Sequence, residues 1–555
     1  MSLRKNLIQH LSLIADLMEF KGENRFKVNA FRNGANIIRR LNSDIESLIR
    51  DKSIGDLKGI GKGLQTVIYE FYQSGNSVEL QKLLEDIPPG IIDLMNVKGL
   101  GASKIRTLYS ELNIKNIVDL ENACSNNQVA ELKGFGLKTQ EKILKEIERI
   151  KNNKGFVLLS EAIYIAGEIE EDLKKIKHIK QISITGELRR KREIISKIEF
   201  LLQITNYEKF LEDLSNLFEY NVLEENSLSY TLSLLVNYEP KVIIYLVENS
   251  KLFPKKLFAS TGSEGFIKQL TKAKNIPDGE NEESIFANLD LTFVIPEMRE
   301  TEWFDAPGNL RTNSDLVFND FKGLLHFHTT WSDGINTLAE MFDAATELGF
   351  KFAAVCDHSK TAFYANGLKE KDVLKQKEEI NELSKNSKIK LYQGIESDIL
   401  RNGDLDYNDD FLHNFDFIVA SVHSQFNLSE EEMTKRIIKA IENPYTNVIG
   451  HPTGRLLLRR DPYAVNMKKV IDACSRNKVA IEINANPHRL DLDWRLIYYA
   501  REQGCKFAIN PDAHSTAGIN DIKYGIMIAR KGGIQKSEVI NTFDLNKFER
   551  FIEKK

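Results

Sequence analysis

The chain is poor in the residues that staple, break or span. Cysteine occurs only four times in 555 residues, at Cys124, Cys356, Cys474 and Cys505, with no C-x-x-C pair. That spacing excludes a disulfide framework and a thiolate zinc site, and it points to a reducing compartment. Proline numbers 12 and is absent before Pro88-Pro89, so nothing breaks a helical reading of the first domain. No run approaches the roughly 18 to 20 uncharged apolar residues of a membrane helix, and Met1 to Arg25 has scattered charges where a signal peptide has an apolar core. An excess of one charge is also missing: 76 Lys and Arg face 80 Asp and Glu, a net −4, so any nucleic acid must be held locally rather than by a global positive field. The expectation is a cytoplasmic protein with no membrane partner. With 28% charged and 42% hydrophobic residues it reads as globular, and its length allows about three or four domains.

What is present falls into blocks. Residues 1–153 are helical in pattern, with Leu7, Leu11, Ile14, Leu17 and Met18 at 3.6-residue spacing. Three related segments recur there: Leu57-Lys-Gly-Ile-Gly-Lys-Gly-Leu64, Val97-Lys-Gly-Leu-Gly-Ala-Ser-Lys-Ile105 and Leu132-Lys-Gly-Phe-Gly-Leu-Lys-Thr139. They form an irregular internal repeat, and the expected helical domains are 1–85 and 86–153. Residues 154–300 mix β-rich runs, such as Gln181 to Thr185 and Lys241 to Leu246, with amphipathic helices, an α+β unit. The polar stretch 301–319 reads as a linker, and 320–555 form the last domain.

Histidine is scarce but clustered, with eight of ten after residue 320. Strand-like runs alternate there with helical ones: Gly323 to Phe327, Phe352 to Cys356, Ile389 to Gln393, Phe415 to Ala420, Asn447 to Ile449, Val479 to Ile483 and Lys506 to Ile509. Seven strand–helix repeats predict a (β/α)7 barrel, one unit short of the eightfold form, with an open doubly wound sheet as the competing topology. At or after the strand ends stand His326 and His328, Asp357-His358, Glu396, His423, His451, Asn484, and Asp512 with His514, while Asp333 lies in the first loop. The carboxyl ends of barrel strands share one rim, so these groups are expected to converge. A single strand-end histidine is usually a hydrogen-bonded rim residue; six with acidic partners call for a metal site. Spacing of i and i+2 on a strand lets His326 and His328 grip one cation while Phe327 packs away. Imidazole and carboxylate without thiolate suit Zn²⁺, Mn²⁺ or Fe²⁺.

His326-Phe-His-Thr-Thr-Trp-Ser-Asp-Gly334, Gly450-His-Pro-Thr-Gly454, Glu482-Ile-Asn-Ala-Asn-Pro487 and Asn510-Pro-Asp-Ala-His-Ser515 resemble the PHP (polymerase and histidinol phosphatase) domain, in the form fused to bacterial family X DNA polymerases. The resemblance implies a distorted (β/α)7 barrel with three divalent metals. It puts His326, His328, Glu396 and Asp512 on the first, Glu396, His423 and His451 on the second, and Asp333, His358 and His514 on the third. His326, His328, Glu396, His423, Asp512 and His514 are the expected catalytic set. Clustered divalent cations acidify water and neutralise charge on phosphate oxygens, the chemistry of phosphoester hydrolysis. Arg455, in the Gly-His-Pro-Thr-Gly-Arg run, and Lys360 are the expected holders of substrate phosphate; Arg459, Arg460 and Arg489 are further basic residues near the rim.

The three glycine turns resemble helix–hairpin–helix motifs, in which backbone N–H groups meet a DNA phosphate beside a helix amino terminus. Gly59, Gly61, Gly99, Gly101, Gly134 and Gly136 are the expected DNA contacts. Relatives with deoxyribose-phosphate lyase activity carry a Lys on the helix after the first hairpin; aligning Gly59-Ile-Gly61 puts Val67 there, so that activity is expected to be absent. Family X palms carry Gly-Ser-x-Arg-Arg and then an Asp-x-Asp pair for two Mg²⁺ ions. In Gly186-Glu-Leu-Arg-Arg-Lys-Arg-Glu-Ile-Ile-Ser-Lys-Ile-Glu199, Glu187 replaces the Ser, Lys197 and Glu199 take the paired positions, and Ser233 stands for the third Asp. A Lys at the first position repels the metals. Glu264 and Phe266 likewise stand where Lys and His are usual.

The sequence therefore predicts a nucleotidyltransferase-like palm and thumb that keeps its fold without polymerase activity, between a helix–hairpin–helix region and a phosphoesterase barrel. The function expected is DNA end processing at gaps, nicks or 3′ ends, by 3′–5′ exonuclease, 3′-phosphatase or abasic-site endonuclease chemistry. Two alternatives are a bifunctional gap-filling polymerase with exonuclease activity and a non-catalytic scaffold that binds DNA ends. Nothing in the sequence names a protein partner.

Overall fold

Every regular element of the described residues up to Asn153 is helical. The computed structural model describes residues 3–39, 41, 45–225, 229–236, 239–272 and 275–553, and the chain divides into units 1–154 and 155–555. In the first unit Leu7, Leu11, Ile14, Leu17 and Met18 line the buried stripe of helix Leu3–Lys21. The three glycine turns each lead into a helix, Lys62–Ser74, Ala102–Leu112 and Leu137–Asn153. Val67 is buried on the first of these helices.

The second unit opens with an α+β region containing β1 (Val157–Leu158), β2 (Ile179–Thr185), β3 (Ile194–Ile195), β4 (Lys197–Ile204), β5 (Glu219–Glu225), β6 (Tyr230–Leu235) and β7 (Lys241–Val247). Five of these form a sheet of order β2-β4-β7-β6-β5, parallel only between β4 and β7. The register lays Glu199 beside Ile243, and Ile243 beside Ser233, so the aligned palm positions share one row.

Seven parallel strands follow, β8 (Gly323–Leu325), β9 (Phe352–Val355), β10 (Lys390–Asp398), β11 (Phe417–Ser421), β12 (Val448–Ile449), β13 (Ala480–Asn484) and β14 (Phe507–Asn510), paired in sequence order. They correspond to the seven runs read from the sequence, and the sheet curls into a nearly closed barrel rather than an open one. Closure comes just beyond the strands, where Phe327 pairs with Ala513 and the His328 N–H donates to the Ala513 carbonyl at 2.8 Å. Below it, the side chain of Asn541 fills the seam: its amide donates to the carbonyls of Gly323 and Ile509 at 3.2 and 3.1 Å, and its oxygen accepts the Ile509 N–H at 2.8 Å.

These strands are buried on both faces, which is why they read as continuous apolar runs. Leu325, Phe352, Ala354, Phe417, Val419, Val448, Ala480 and Ala508 cluster with Phe548 and Ile552 of the last helix, Leu545–Ile552, and so plug the barrel. The outer helices are set by their first turns. Helix Leu338–Glu347 begins in a Thr337–Glu340 capping box and buries Leu338, Met341, Phe342 and Ala345; helix Glu430–Glu442 repeats the pattern from Ser429 and Glu432. Among the described residues no helix is long and apolar enough to cross a membrane.

Residues 301–319, read as a linker from their polar composition, are anchored along their length. Leu316 is fully buried, Arg311 lies 5.1 Å over the Trp303 ring, and Arg501 donates to the Leu310 carbonyl at 3.1 Å. A few anchors outweigh the polar average of the stretch, and it lies packed against barrel residues.

Candidate metal centre

Each barrel strand delivers its last side chains to one rim. The expected i, i+2 pair departs from strand geometry, because β8 stops at Leu325 and His326 takes a left-handed backbone, φ 58°. Both imidazoles still face one carboxylate: Asp512 Oδ1 is 3.7 Å from His326 Nε2 and 3.1 Å from His328 Nε2. Asp512 (φ 51°) and His451 (φ 24°) are also left-handed, a conformation that L side chains pay for in strain and that clusters at functional sites.

Glu396, at the end of β10, is the hub. Its oxygens lie 3.4 Å from His326 Nε2, 3.6 Å from His328 Nε2, 3.0 Å from His358 Nδ1, 3.2 Å from His423 Nε2 and 3.0 Å from His451 Nε2. On the outer side, Asp333 Oδ1 lies 3.7 Å from His358 Nε2 and 3.4 Å from His514 Nε2. Two ligands at about 2.0–2.1 Å from a tetrahedral cation stand about 3.3 Å apart, so these separations suit shared cations. Three groups bring all their ligand atoms within 4.8 Å of one another: His328, Asp333, His358 and His514; His326, His328 and Asp512; and His358, Glu396 and His423. His328 and His358 thus each serve two groups, where the sequence reading gave each a single one.

The donor set fits a metal on a second ground. His326 Nε2, His328 Nδ1, His358 Nδ1 and Glu396 Oε2 are buried with no hydrogen-bond partner among the described residues. A buried polar atom without a partner is costly, and cations held in these groups would satisfy them. Electrostatics agree. Burial opposes charge throughout, yet the facing imidazoles hold Glu396 and Asp512 well below the usual carboxylate range. Against the same burial, carboxylates push His423 up to about 10 and His514 up to about 9. Burial and the neighbouring His514 and His358 push His328 down to about 3. The pocket demands positive charge, and its central imidazole keeps a lone pair available.

Behind the rim lies a layer that sequence reading missed. Glu482, fully buried, accepts the Nδ1–H of His326 at 2.6 Å, the His451 N–H at 2.7 Å, and the side-chain amides of Asn510 and Asn484 at 2.8 and 3.1 Å. Asp398 accepts the Nδ1–H of His423 at 2.6 Å. Each fixes a ring so that Nε2 faces Glu396. The signal was present as an i, i+2 echo, Glu396 with Asp398 on β10 and Glu482 with Asn484 on β13. Asn484 itself donates to Asp512 at 3.0 Å, and Asp357 ties down the first loop by accepting from Thr329 and Ser332, and also accepts from Gln376 of helix Glu370–Ser384. Neither is at the centre of the cluster.

The expected phosphate holders are placed differently. Arg455 is buried, donating to Asp493 and to the carbonyls of Arg489 and Leu490, and Lys360 pairs with Glu370 at 2.6 Å. Both are spent on neighbouring protein groups. Arg489 lies with Nε 3.6 Å from Asp512, and its Nη1 is buried without a hydrogen-bond partner among the described residues.

In the palm, Lys197 Nζ pairs with Glu199 at 2.8 Å, and the Tyr245 hydroxyl donates to the same carboxylate at 2.8 Å. Glu187 accepts the Ser196 N–H and hydroxyl at 2.7 and 2.9 Å. Phe266 is fully buried, and Arg189 and Arg190 pair with Glu282 and Glu300. The cleft's acid is thus neutralised by its own lysine.

In the first unit, Gly59, Gly99 and Gly134 have φ of 100°, 90° and 92°, as the turns require. Gly61 and Gly101 are extended, at φ −78° and −81°, and an added Cβ would meet nothing within 4 Å at either, nor at Gly136. The fold itself does not need the bareness of Gly61 and Gly101, whereas Gly136, at φ 79°, is also held to glycine by its backbone, and none of the three helices that follow has a side-chain N-cap.

Residues 3–77 match the Helix-hairpin-helix domain family and residues 325–486 match the PHP domain family. Over 575 residues, 99% of both chains, the sequence is 34% identical to the DNA polymerase/3'-5' exonuclease PolX of Bacillus subtilis (strain 168). It is 28% identical over 247 residues to a probable phosphatase of Thermoanaerobacter sp. (strain X514), which covers 41% of this chain and 94% of the relative. A probable phosphatase of Caldicellulosiruptor bescii is 28% identical over 211 residues, 35% of this chain and 80% of the relative.

Proposed function

We propose, from the premise that this chain belongs to the PolX family, that it processes the 3′ ends of DNA by metal-dependent phosphoester hydrolysis and that its palm no longer polymerises. The observation that carries this reading is the contrast between two sites. The barrel assembles Glu396 with five imidazoles at 3.0–3.6 Å, whereas the palm's Glu199 is closed off by Lys197 and Tyr245.

Divalent cations held there, Mn²⁺, Zn²⁺ or Fe²⁺ on three sites in this reading, would supply an acidified water and offset charge on the phosphate. The chain's residues prepare for this. In the assignment the family resemblance implies, His326, His328, Glu396 and Asp512 would hold one cation, Glu396, His423 and His451 a second, and Asp333, His358 and His514 a third, with His328 and His358 each also close to a neighbouring group. His514 and Asp333, with side chains 40% and 31% exposed, line the open side where substrate enters. Arg489, beside Asp512 and still partly exposed, is the guanidinium that would meet a phosphate there, the task Arg455 is too engaged to perform.

The hairpins supply the grip. The bare glycines Gly61, Gly101 and Gly136 let a phosphate approach backbone N–H groups, while Gly59, Gly99 and Gly134 make the turns. Sequence-independent contact of that kind suits gapped, nicked or 3′-ended DNA. The products in view are 3′ nucleotides, released 3′-phosphate, or strands cut beside abasic sites.

A labelled primer incubated with Mn²⁺ tests the reading. Metal-dependent shortening from the 3′ end is expected, lost in His326→Ala; no shortening, or shortening indifferent to that substitution, refutes it. The Bacillus subtilis relative is named for both polymerase and exonuclease, which favours a second, bifunctional reading. Incorporation of dNTPs on gapped DNA would decide for it.

A further inference from the structure

The loop after β9 leaves two large rings in water at the mouth of the barrel: Phe363 is 80% exposed and Tyr364 69%. Single exposed apolar residues are ordinary, but an adjacent pair at the rim of a candidate active site calls for an occupant. The Tyr364 ring centroid lies 6.0 Å from that of His358 and 6.5 Å from that of His423. These two imidazoles both face Glu396.

The turn that carries the rings is anchored. Ala362 and Ala365 on either side are fully buried. The Thr361 N–H donates to Asp406 at 2.7 Å, and its hydroxyl donates to Asp398 at 3.0 Å. Asp398 is also the carboxylate that orients His423. One group therefore positions both a candidate ligand and the aromatic turn, so the Tyr364 ring stands at a set height above the centre, with Phe363 exposed beside it on the same turn.

We infer that Phe363 and Tyr364 are a stacking platform for the base of the 3′-terminal nucleotide, making the site selective for unpaired nucleic-acid ends. The inference rests on the phosphoesterase reading and names the determinant of its substrate class. The parts complement a nucleotide: cations and Arg489 for the phosphate, flat apolar faces for the base. Every base has such a face, so stacking of this kind tolerates any sequence. A terminal base must leave its partner to lie on the rings, which favours a frayed or single-stranded end over a blunt paired one.

The test uses the full-length protein with Mn²⁺ and three substrates: a single-stranded oligonucleotide, the same strand ending in a base-free tetrahydrofuran nucleotide, and a blunt duplex. The wild type is expected to act fastest on the ordinary single-stranded end. The F363A/Y364A variant should lose about tenfold there, the size of one base–aromatic contact, and should act equally on ordinary and base-free ends. Tyr364→Phe keeps the face and should retain the preference. A double variant that slows both single-stranded ends alike, or neither, overturns the platform while leaving the phosphoesterase reading intact. A wild type inert toward every 3′ end overturns that reading, and the platform with it.

Discussion

Replacing Glu482 by Gln removes one charge and almost no volume from behind the metal centre. In the wild type, four donors converge on two carboxylate oxygens, at 2.6 Å from His326, 2.7 Å from the His451 N–H, 2.8 Å from Asn510 and 3.1 Å from Asn484. A glutamine keeps one oxygen and turns an amide N–H₂ toward the donors on the other side, so the site loses acceptors where none can be spared. His326 can then carry its proton on Nε2, the atom that faces Glu396 and Asp512. Loss of such an outer partner typically costs about 10- to 100-fold in metal affinity, or about 1.4–2.7 kcal/mol. Calorimetric titration of metal-free protein with Mn²⁺ measures this directly, with thermal unfolding run beside it to show that the barrel persists. Hydrolysis at fixed subsaturating Mn²⁺ should fall in parallel. Mn²⁺ affinity equal to wild type in a folded Glu482→Gln protein would refute the claim that this carboxylate sets the His326 tautomer.

Other consequences are open to simple measurements. Gly101→Ala places a methyl in open space at φ −81° and should shift stability by less than about 0.5 kcal/mol while weakening DNA binding in fluorescence anisotropy. Gly99→Ala, at φ 90°, should instead cost about 1–2 kcal/mol in urea unfolding, with or without DNA. Lys531 is fully buried 2.7 Å from Glu300, so Lys531→Met leaves a buried acid short of one partner and should lower stability by about 3 kcal/mol. Glu193 donates nothing but accepts from Trp494 and Arg495. Burial raises its pKa, but Arg495 and Arg455 outweigh that and hold it at about 2 against an ordinary 4.5. A depressed carboxyl adds stability above the ordinary value and loses it as pH falls toward the folded one. The stability gap between wild type and Glu193→Gln should therefore narrow by up to about 3 kcal/mol as pH drops through that window; a constant gap would contradict it.

The barrel was legible because each of its strands is buried on both faces and ends in a ligand-type side chain, so an apolar run followed by His, Asp or Glu marks element and site together. The palm was legible as a departure: Lys197 and Glu199 meet as a pair, where two like charges would be needed to hold cations. How tightly the polar stretch 301–319 packs was not legible, because composition averages over residues, whereas packing depends on the few, such as Leu316, that reach a core.

The amino-acid order by itself determined which chemistry the chain can bring: imidazoles and carboxylates at strand ends, bare glycines at helix starts, and a lysine two residues from the acid Glu199. Only the tertiary structure decided how those groups are used. Arg455 and Arg489 are the same residue type, and what separates them is that Asp493 and two carbonyls engage the first while Nη1 of the second meets no acceptor among the described residues. Glu482 became an orienting group only because His326, 156 positions earlier, was brought to 2.6 Å. Side-chain chemistry is local to a residue, but availability depends on what occupies the space around it, and in a closed barrel that neighbour comes from a different part of the chain.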